Sequence, residues 1–285
     1  MNYFDVCIRT AVETLQSNDD PESDTPAVRG LLEIEKRVGS TTTGLVLALR
    51  LWAMSGLPQA VVSHRLAASF AATSANAAAP TPPFDALAVR IPSGMLPVFN
   101  DVIGREEFIE WALLAHYGGG HVWLRAFSES GMMFGHNAAH VTDLSVDWCG
   151  FGVGQQPTGV SNQTALDQRA MDIVGRIVFG VLMEFESGAA ASAMRNGPPG
   201  KTKRSGQPKA WTFEFRRAVA HDVREAITDY VRHGTRIQRV QVLVRGHWKR
   251  QVHGKGRSLR KAIHVEPYWR GAEDAPIGVT PRVFA

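Results

Sequence analysis

A period-two pattern in residues 240–271 constrains the fold of this chain more than any other feature. The first of its two runs places large apolar residues on one face: Val240, Val242, Val244, Trp248 and Val252. The second run does the same with Leu259, Ile263, Val265 and Trp269. Two alternating runs around the turn Gly254-Lys255-Gly256 predict a β-hairpin with one buried and one exposed face.

The position of the turn sets the register of this hairpin. A turn centred near Lys255 predicts that Trp248 faces Ile263, and that Arg245 faces Glu266. This register keeps both apolar sets on the same side of the hairpin. A slip of one residue would send one set to the opposite face, so the pattern favours this pairing.

Charge is divided unevenly along the 285 residues. Residues 1–194 carry 11 Lys or Arg against 20 Asp or Glu, a net charge of −9, whereas residues 195–285 carry 20 against 7, a net charge of +13. This asymmetry indicates either an acidic partner for the last third of the chain or internal neutralisation. Nucleic acid and an acidic protein surface both fit such a partner.

The cations of the last third concentrate on the predicted hairpin, and the loop 201–209 adds more. Lys and Arg near a turn contact phosphates or carboxylates without a rigid cage. Trp248 and Trp269 fall on the apolar face, so Tyr268 is the aromatic residue expected to be exposed. We predict these partner-binding residues: Arg245, His247, Lys249, Arg250, Lys255, Arg257, Arg260, Lys261, Tyr268 and Arg270.

Composition indicates an ordinary soluble protein, with 44% hydrophobic and 20% charged residues. The longest apolar run, residues 43–53, is too short to span a bilayer. Residues 1–15 lack the basic segment and cleavage site of a secretory signal. Cys7 and Cys149 are too few for a disulfide framework, so we expect a cytoplasmic protein.

The first part of the chain is predicted to be helical. Apolar residues recur every three or four positions over residues 3–15, as in an amphipathic helix. Further helices are predicted at 27–38, 42–54 and 59–72. The uncharged, proline-containing stretch 74–84 predicts a linker. We therefore divide the chain into a helical region 1–80 and a body 81–285, which can also form one continuous domain.

The body is predicted to contain both strands and helices. The predicted strands are 86–91, 122–127, 132–134 and 144–148, and the predicted helices are 106–116, 165–185 and 216–233. The fold class is therefore α+β. It consists of a helical N-terminal region, then a mixed antiparallel sheet-and-helix body that ends in a basic C-terminal β-hairpin.

Catalytic and metal-binding motifs are weak in this sequence. His136 and His140 lie four residues apart, which resembles half of a zinc site, but Asn137 stands where zinc proteases place a glutamate. On the hairpin, the predicted register places His247 beside His264 without a nearby nucleophile or carboxylate pair. No GxSxG, Walker, Rossmann or kinase motif occurs. We expect a protein that is not an enzyme and binds no metal or cofactor.

One segment resembles a known family. Arg245-Gly246-His247-Trp248, followed by a strand that closes with Val265-Glu266-Pro267-Tyr268-Trp269, is similar to the C-terminal signature of a mobile-element protein family. That family includes the type V-A anti-CRISPR protein that suppresses production of the type V effector nuclease. The apolar helix with an acidic tail at 173–186 and the aromatic run 211–215 occur in a similar order. Residues 1–160 show no such match.

The resemblance implies a phage- or plasmid-encoded inhibitor that acts in the bacterial cytoplasm. Such an inhibitor recognises a CRISPR effector protein or its nascent chain, and affinity for RNA suits a protein that acts near a ribosome. Within the motif, Gly246 and Pro267 are expected to be structural. The competing hypothesis is a nucleic-acid-binding accessory or regulatory protein of a mobile element. An enzyme such as a nuclease is a third hypothesis.

Overall fold

A mixed β-sheet of eight strands forms the centre of the fold, as seen in a computed structural model of the chain. The structure describes residues 3–16, 42–74, 82–100, 103–117, 121–131, 133–136, 162–196, 211–216, 227–228, 231–232, 241–244, 246–270 and 277–278. The helices are α1 (Tyr3–Gln16), α2 (Thr42–Met54), α3 (His64–Ala71), α4 (Asn162–Glu186) and α5 (Ala190–Ala193), and a 3₁₀ turn covers Lys255–Arg257.

The strands fall into one large sheet and two small ones. The large sheet has the order β7 (Met133–His136), β6 (His121–Ser128), β5 (Arg105–Tyr117), β3 (Ala86–Arg90), β1 (Gln59–Val62), β9 (Thr212–Phe215) and β8 (Met194–Asn196), and β4 (Pro97–Asn100) also pairs with β5. The small sheets contain β2 (Thr73–Ser74), β11 (Gly246–His253) and β12 (Leu259–Val265), and β10 (Gln241–Val244), β13 (Tyr268–Arg270) and β14 (Ile277–Gly278). In the large sheet β1 runs parallel to β3 and β9, and the other pairs are antiparallel.

Helices cover both faces of the large sheet. On β3, Ala86 and Ala88 face the core formed with α1 and α2, whereas Leu87 and Val89 face the core formed with α3 and α4. Trp111 is fully buried in the first core, stacked on Phe127 with a ring centroid distance of 4.1 Å. The α+β fold class predicted from the sequence is confirmed.

The helix predicted at 106–116 is wrong, because this segment forms the central strand β5. Both faces of β5 are buried, so its apolar residues form a nearly continuous run without the alternation of a half-buried strand. A register shift between Ile109 and Trp111 adds to the ambiguity. Because of it, Ile109 joins Ala112 in the core with α3 and α4, whereas Trp111 joins Leu113 in the core with α1 and α2.

The helix predicted at 59–72 is also wrong in its first part. Residues 59–62 form the short strand β1, in which Ala60 and Val62 are buried, and a helix begins only at His64. A segment of four residues, three of them apolar, does not distinguish a strand from a turn of helix by periodicity. Two parallel neighbours, β3 and β9, decide the outcome.

Other predicted elements agree with the structure. The helices predicted at 3–15, 42–54 and 165–185 correspond to α1, α2 and α4, and the strands at 86–91 and 122–127 correspond to β3 and β6; β7 overlaps the strand predicted at 132–134. The predicted segments 27–38 and 144–148 lie outside the described residues. Of the helix predicted at 216–233, residues 227–228 and 231–232 are described as helix, whereas Arg216 is described and is not helical.

The division at residue 80 stays a prediction. Strand β1, which precedes it, pairs with β3 and β9, which follow it. None of the described helices combines the length and the apolar character needed to cross a membrane.

A buried carboxylate joins three strands at one end of the sheet. Glu107 on β5 is 3% exposed, and it accepts hydrogen bonds from the hydroxyls of Ser130 at 2.6 Å and Ser128 at 2.7 Å, and from the amide of Asn100 at 3.2 Å. Burial alone would raise the pKa of this carboxyl. The three hydrogen bonds and the nearby Arg105 guanidinium outweigh burial and lower the pKa below its ordinary value.

We predict that Glu107→Gln lowers the free energy of unfolding at neutral pH by about 1–3 kcal/mol. Because the pKa of Glu107 is lowered on folding, the charged carboxyl contributes stability above the unfolded-state pKa, and this contribution is lost as the pH falls through the folded-state pKa. The stability difference between the native protein and the variant should therefore shrink with acidification. Denaturant unfolding at neutral and acidic pH measures it. Glu129→Gln, at an exposed turn position, is the control, and equal pH dependence of both variants would contradict the prediction.

Candidate functional site

The basic hairpin consists of β11 and β12, joined by five residues from Gly254 to Ser258. Trp248 pairs with His264 and Lys249 pairs with Ile263, so the register differs by one residue from the one predicted. The reason lies in the turn, which is centred on Gly256 rather than Lys255. The 3₁₀ turn and the positive φ angles around it accommodate one residue more than the predicted turn.

This shift exchanges the two faces of β12. Ala262 and His264 are buried beside Trp248, whereas Ile263 and Val265 are only partly buried, and Leu259 is 55% exposed. The prediction that Leu259, Ile263 and Val265 form the buried face is therefore wrong. The outer face of the hairpin comprises His247, Lys249 and Gln251 on β11 and Lys261, Ile263 and Val265 on β12.

The predicted pairing of His247 with His264 is wrong for the same reason. His247 pairs with Val265 and is exposed on the outer face, whereas His264 is 8% exposed on the inner face. By extension of the register, Glu266 lies opposite Gly246 rather than Arg245, which is outside the described residues.

A buried cluster of rings and one hydroxyl group attaches the hairpin to the body. Trp248 is 6% exposed, and its ring lies 4.8 Å from that of His264, which in turn lies 5.5 Å from that of Phe70 on α3. The hydroxyl of Thr73 donates to the carbonyl of Ser69 at 2.6 Å and lies 2.8 Å from Nε2 of His264. Since that hydroxyl has a single proton, Nε2 of His264 carries the hydrogen and donates to it. Trp248 therefore belongs to the core.

Gly246 permits this attachment. A Cβ at this position would lie 2.6 Å from the hydroxyl oxygen of Thr73 and 2.8 Å from both Cδ of Pro267 and the carbonyl oxygen of Val265. Thr73 lies on β2, which pairs with β11 at this point. The close contacts support the structural role expected for Gly246, and Pro267 is buried next to it.

The antiparallel pairing keeps a single register over the pattern at 240–271, although its two strand pairs belong to different small sheets. β10 pairs with β13, and β11 pairs with β12. Tyr268 pairs with Val244 and is 44% exposed, which confirms the prediction of an exposed aromatic residue. Arg270 pairs with Val242 through its backbone, and its side chain is outside the described part of the structure.

The other predicted site residues lie together in the outer half of the hairpin. Lys255 and Arg257 occupy the turn, and Arg260 and Lys261 follow it in β12, all exposed. Lys249 is exposed on the outer face. We refer to residues 249–261 as the basic arm. No acidic residue occurs between positions 246 and 265.

Arg250 differs from the other cations of the basic arm. It lies on the inner face, and its guanidinium contacts the carboxylate of Glu186 at 2.9 Å, at the C-terminus of α4. The pair is half-exposed, so it contributes at most about 1 kcal/mol. In the described part of the chain, no carboxylate pairs with Lys249, Lys255, Arg257, Arg260 or Lys261.

The two histidines considered as zinc ligands do not form a described site. His136 lies at the end of strand β7 rather than on a helix, and His140 is outside the described residues. Among the residues that the structure describes, no group of three or more His, Cys, Asp or Glu is placed to hold a metal ion.

Comparison with solved structures shows a similarity in fold. The chain is similar to the crystal structure of AcrVA2, with 93% of each chain aligned, 10% sequence identity and a TM-score of 0.41. A likeness at this level carries no argument about function. No protein-family model matches the chain. No curated protein matches it either.

Two neighbours in the same motif are expected to behave differently on substitution. Trp248→Ala removes a buried ring from the attachment cluster and should lower the free energy of unfolding by about 3–5 kcal/mol. His247→Ala, one residue away on the outer face, should change it by less than about 0.5 kcal/mol. Chemical denaturation of the two variants measures both values. Similar losses of stability would contradict the assignment of Trp248 to the core and His247 to the surface.

Proposed function

We propose that this chain is a phage- or plasmid-encoded anti-CRISPR-like inhibitor, which binds a protein or ribonucleoprotein target of a CRISPR system and lowers immunity. The observation that carries the proposal is the resemblance of residues 245–248 and 265–269 to the signature of the type V-A anti-CRISPR family. The partner expected from that resemblance is the effector protein or its nascent chain.

The position of the motif residues supports this proposal. Gly246, Trp248 and Pro267 are buried and hold the hairpin in place, whereas His247 points to solvent. The motif thus has an internal part that fixes the outer face, and two of its residues, His247 and Val265, lie on that face.

The chemistry of the outer face also suits a protein partner. Ile263 and Val265 supply partly buried apolar surface, and Lys249 and Lys261 flank them with positive charge. Protein interfaces combine an apolar centre with a polar rim, and charge complementarity sets their specificity. The outer face therefore suits a target surface with apolar residues next to carboxylates.

Immunity in cells with a type V-A system tests the proposal directly. Expression of the chain should restore phage infection or plasmid transformation, and the abundance of the effector nuclease should be measured in the same cells. Loss of immunity together with loss of the nuclease is the expected result. Loss of immunity at normal nuclease abundance would instead indicate inhibition of the assembled complex. Unchanged immunity would contradict the proposal.

A pair of variants separates the outer face from general charge effects. Lys249→Ala with Lys261→Ala should weaken inhibition, because both lysines lie on the outer face. Arg195→Ala with Arg216→Ala removes the same charge from the neighbourhood of Glu214 on β9 and should leave inhibition unchanged. Equal effects of both pairs would exclude a specific role of the outer face.

A second candidate function is that of a nucleic-acid-binding accessory or regulatory protein of a mobile element. The observation that favours it is the basic arm, with five cations that no described carboxylate neutralises. Retention of the protein on a heparin column tests polyanion binding in general. Replacement of Lys255 and Arg257 by neutral residues should lower the salt concentration of elution, and unchanged elution would count against this function.

A further inference from the structure

The basic arm extends into solvent on both of its faces. Beyond Trp248 and Ala262, every residue from Lys249 to Lys261 is exposed except Val252, which is half-buried. At about 3.4 Å per residue, the strand from Lys249 to His253 alone extends about 14 Å. A two-stranded ribbon without a covering layer is only marginally stable in water, so its exposure has a cost in stability that a partner can offset.

The composition of the arm indicates the chemistry of that partner. All its charged side chains are cations: Lys249, Arg250, Lys255, Arg257, Arg260 and Lys261. They lie on both faces and at the turn, since Lys249 and Lys261 belong to the outer face and Arg250 and Arg260 to the inner face. A flat acidic surface would contact only one face of such a ribbon. Negative charge on two sides of a groove can contact both faces and the turn.

Duplex nucleic acid fits the arm better than a single strand. Proteins that bind single strands without sequence preference stack bases on aromatic side chains. The basic arm contains no Phe, Tyr or Trp, and His253 is its single ring. Trp248 at its base is buried and cannot stack on a base.

The width of the ribbon distinguishes between duplex forms. Two strands about 4.8 Å apart, with their side chains, fit the major groove of B-form DNA, which is about 12 Å wide and admits a two-stranded ribbon. The major groove of A-form RNA is too deep and narrow for side chains to read. We therefore propose that the basic arm binds double-stranded DNA by entering the major groove, with its cations on the phosphates of both strands. This inference rests on the second candidate function.

The backbone of the turn supports a role in binding. Arg257 has a φ of +55°, in the left-handed region that non-glycine residues rarely adopt, and the neighbouring Gly256 has a φ of +68°. The carbonyl of Gly254 accepts a hydrogen bond from the amide of Arg257 at 3.1 Å, which holds the turn in this shape. The turn therefore holds an exposed arginine in a defined backbone conformation at the end of the projecting ribbon, where its guanidinium can contact a phosphate.

Fluorescence anisotropy with labelled oligonucleotides tests the proposal on the full chain. A short DNA duplex, the RNA duplex of the same sequence and each single strand serve as probes over a series of salt concentrations. Five phosphate contacts predict a slope of about −4.5 for log K against log salt, or about a 500-fold loss of affinity between about 50 and 200 mM salt. The DNA duplex should bind more tightly than the other probes.

Substitutions in the turn test whether the basic arm is the part of the chain that binds the DNA duplex. Lys255→Ala with Arg257→Asn removes two cations, and Asn tolerates the left-handed conformation, so the turn should keep its shape. The slope should become less steep by about 2. Arg195→Ala with Arg216→Ala is the control of equal charge and should leave the slope unchanged. Thermal melting verifies that both proteins are folded.

Three results would overturn the proposal: the absence of salt-dependent binding to the DNA duplex, equal or tighter binding of the RNA duplex or a single strand, or an unchanged slope in the turn variant. Binding to heparin without preference for the DNA duplex would be consistent with the second candidate function, but it would reject insertion of the basic arm into the major groove. Loss of DNA binding with retained inhibition of immunity would leave the anti-CRISPR-like proposal in place.

Discussion

The contact between Trp248, His264 and Thr73 is the interaction on which the C-terminal surface depends. Through it a two-stranded hairpin becomes part of the core formed with α3 and α4. The hydroxyl of Thr73 satisfies the buried imidazole, which would otherwise lose the free energy of an unmade hydrogen bond. Gly246 allows β2 and β11 to approach closely enough for this bond. The outer face and the basic arm have a fixed position because this contact holds their base.

The hairpin changes character along its length. Near the body, its inner face is apolar and buried, and its outer face mixes apolar and cationic residues. Beyond Arg250, both faces are mainly polar and exposed, apart from the half-buried Val252 and the exposed Leu259. The ion pair between Arg250 and Glu186 lies at the boundary between these two parts of the hairpin. Glu186 is the last residue of α4. The Glu186 carboxylate pairs with Arg250, and the C-terminal end of the α4 dipole also favours a cation at this position. The remaining cations retain their full charge for a partner.

How far the sequence predicts this structure depends on how many sides of an element are buried. The helix at 165–185 and the strand at 86–91 were predicted correctly, one from its apolar stripe and the other from its short apolar run. β5 was predicted incorrectly because burial on two faces and a register shift remove its period. The hairpin was predicted, but its register was not, since the conformation of Gly254 to Ser258 determines it. Thr73, the partner of His264, and Glu186, the partner of Arg250, are distant from the hairpin in sequence. No local signal in the sequence indicates either contact.

The two candidate functions use different parts of the same hairpin, and their electrostatics differ accordingly. Apolar surface on the outer face is concentrated at Ile263 and Val265, close to the body, where burial against a protein would contribute through desolvation and depend little on salt. The basic arm has little apolar surface besides Leu259, so binding there would come from counterion release and weaken steeply with salt. A single protein can therefore hold a protein partner at the base of the hairpin and a polyanion along the arm. The observed register of the hairpin makes this possible, because it turns Ile263 and Val265 outward and leaves His264 to complete the core.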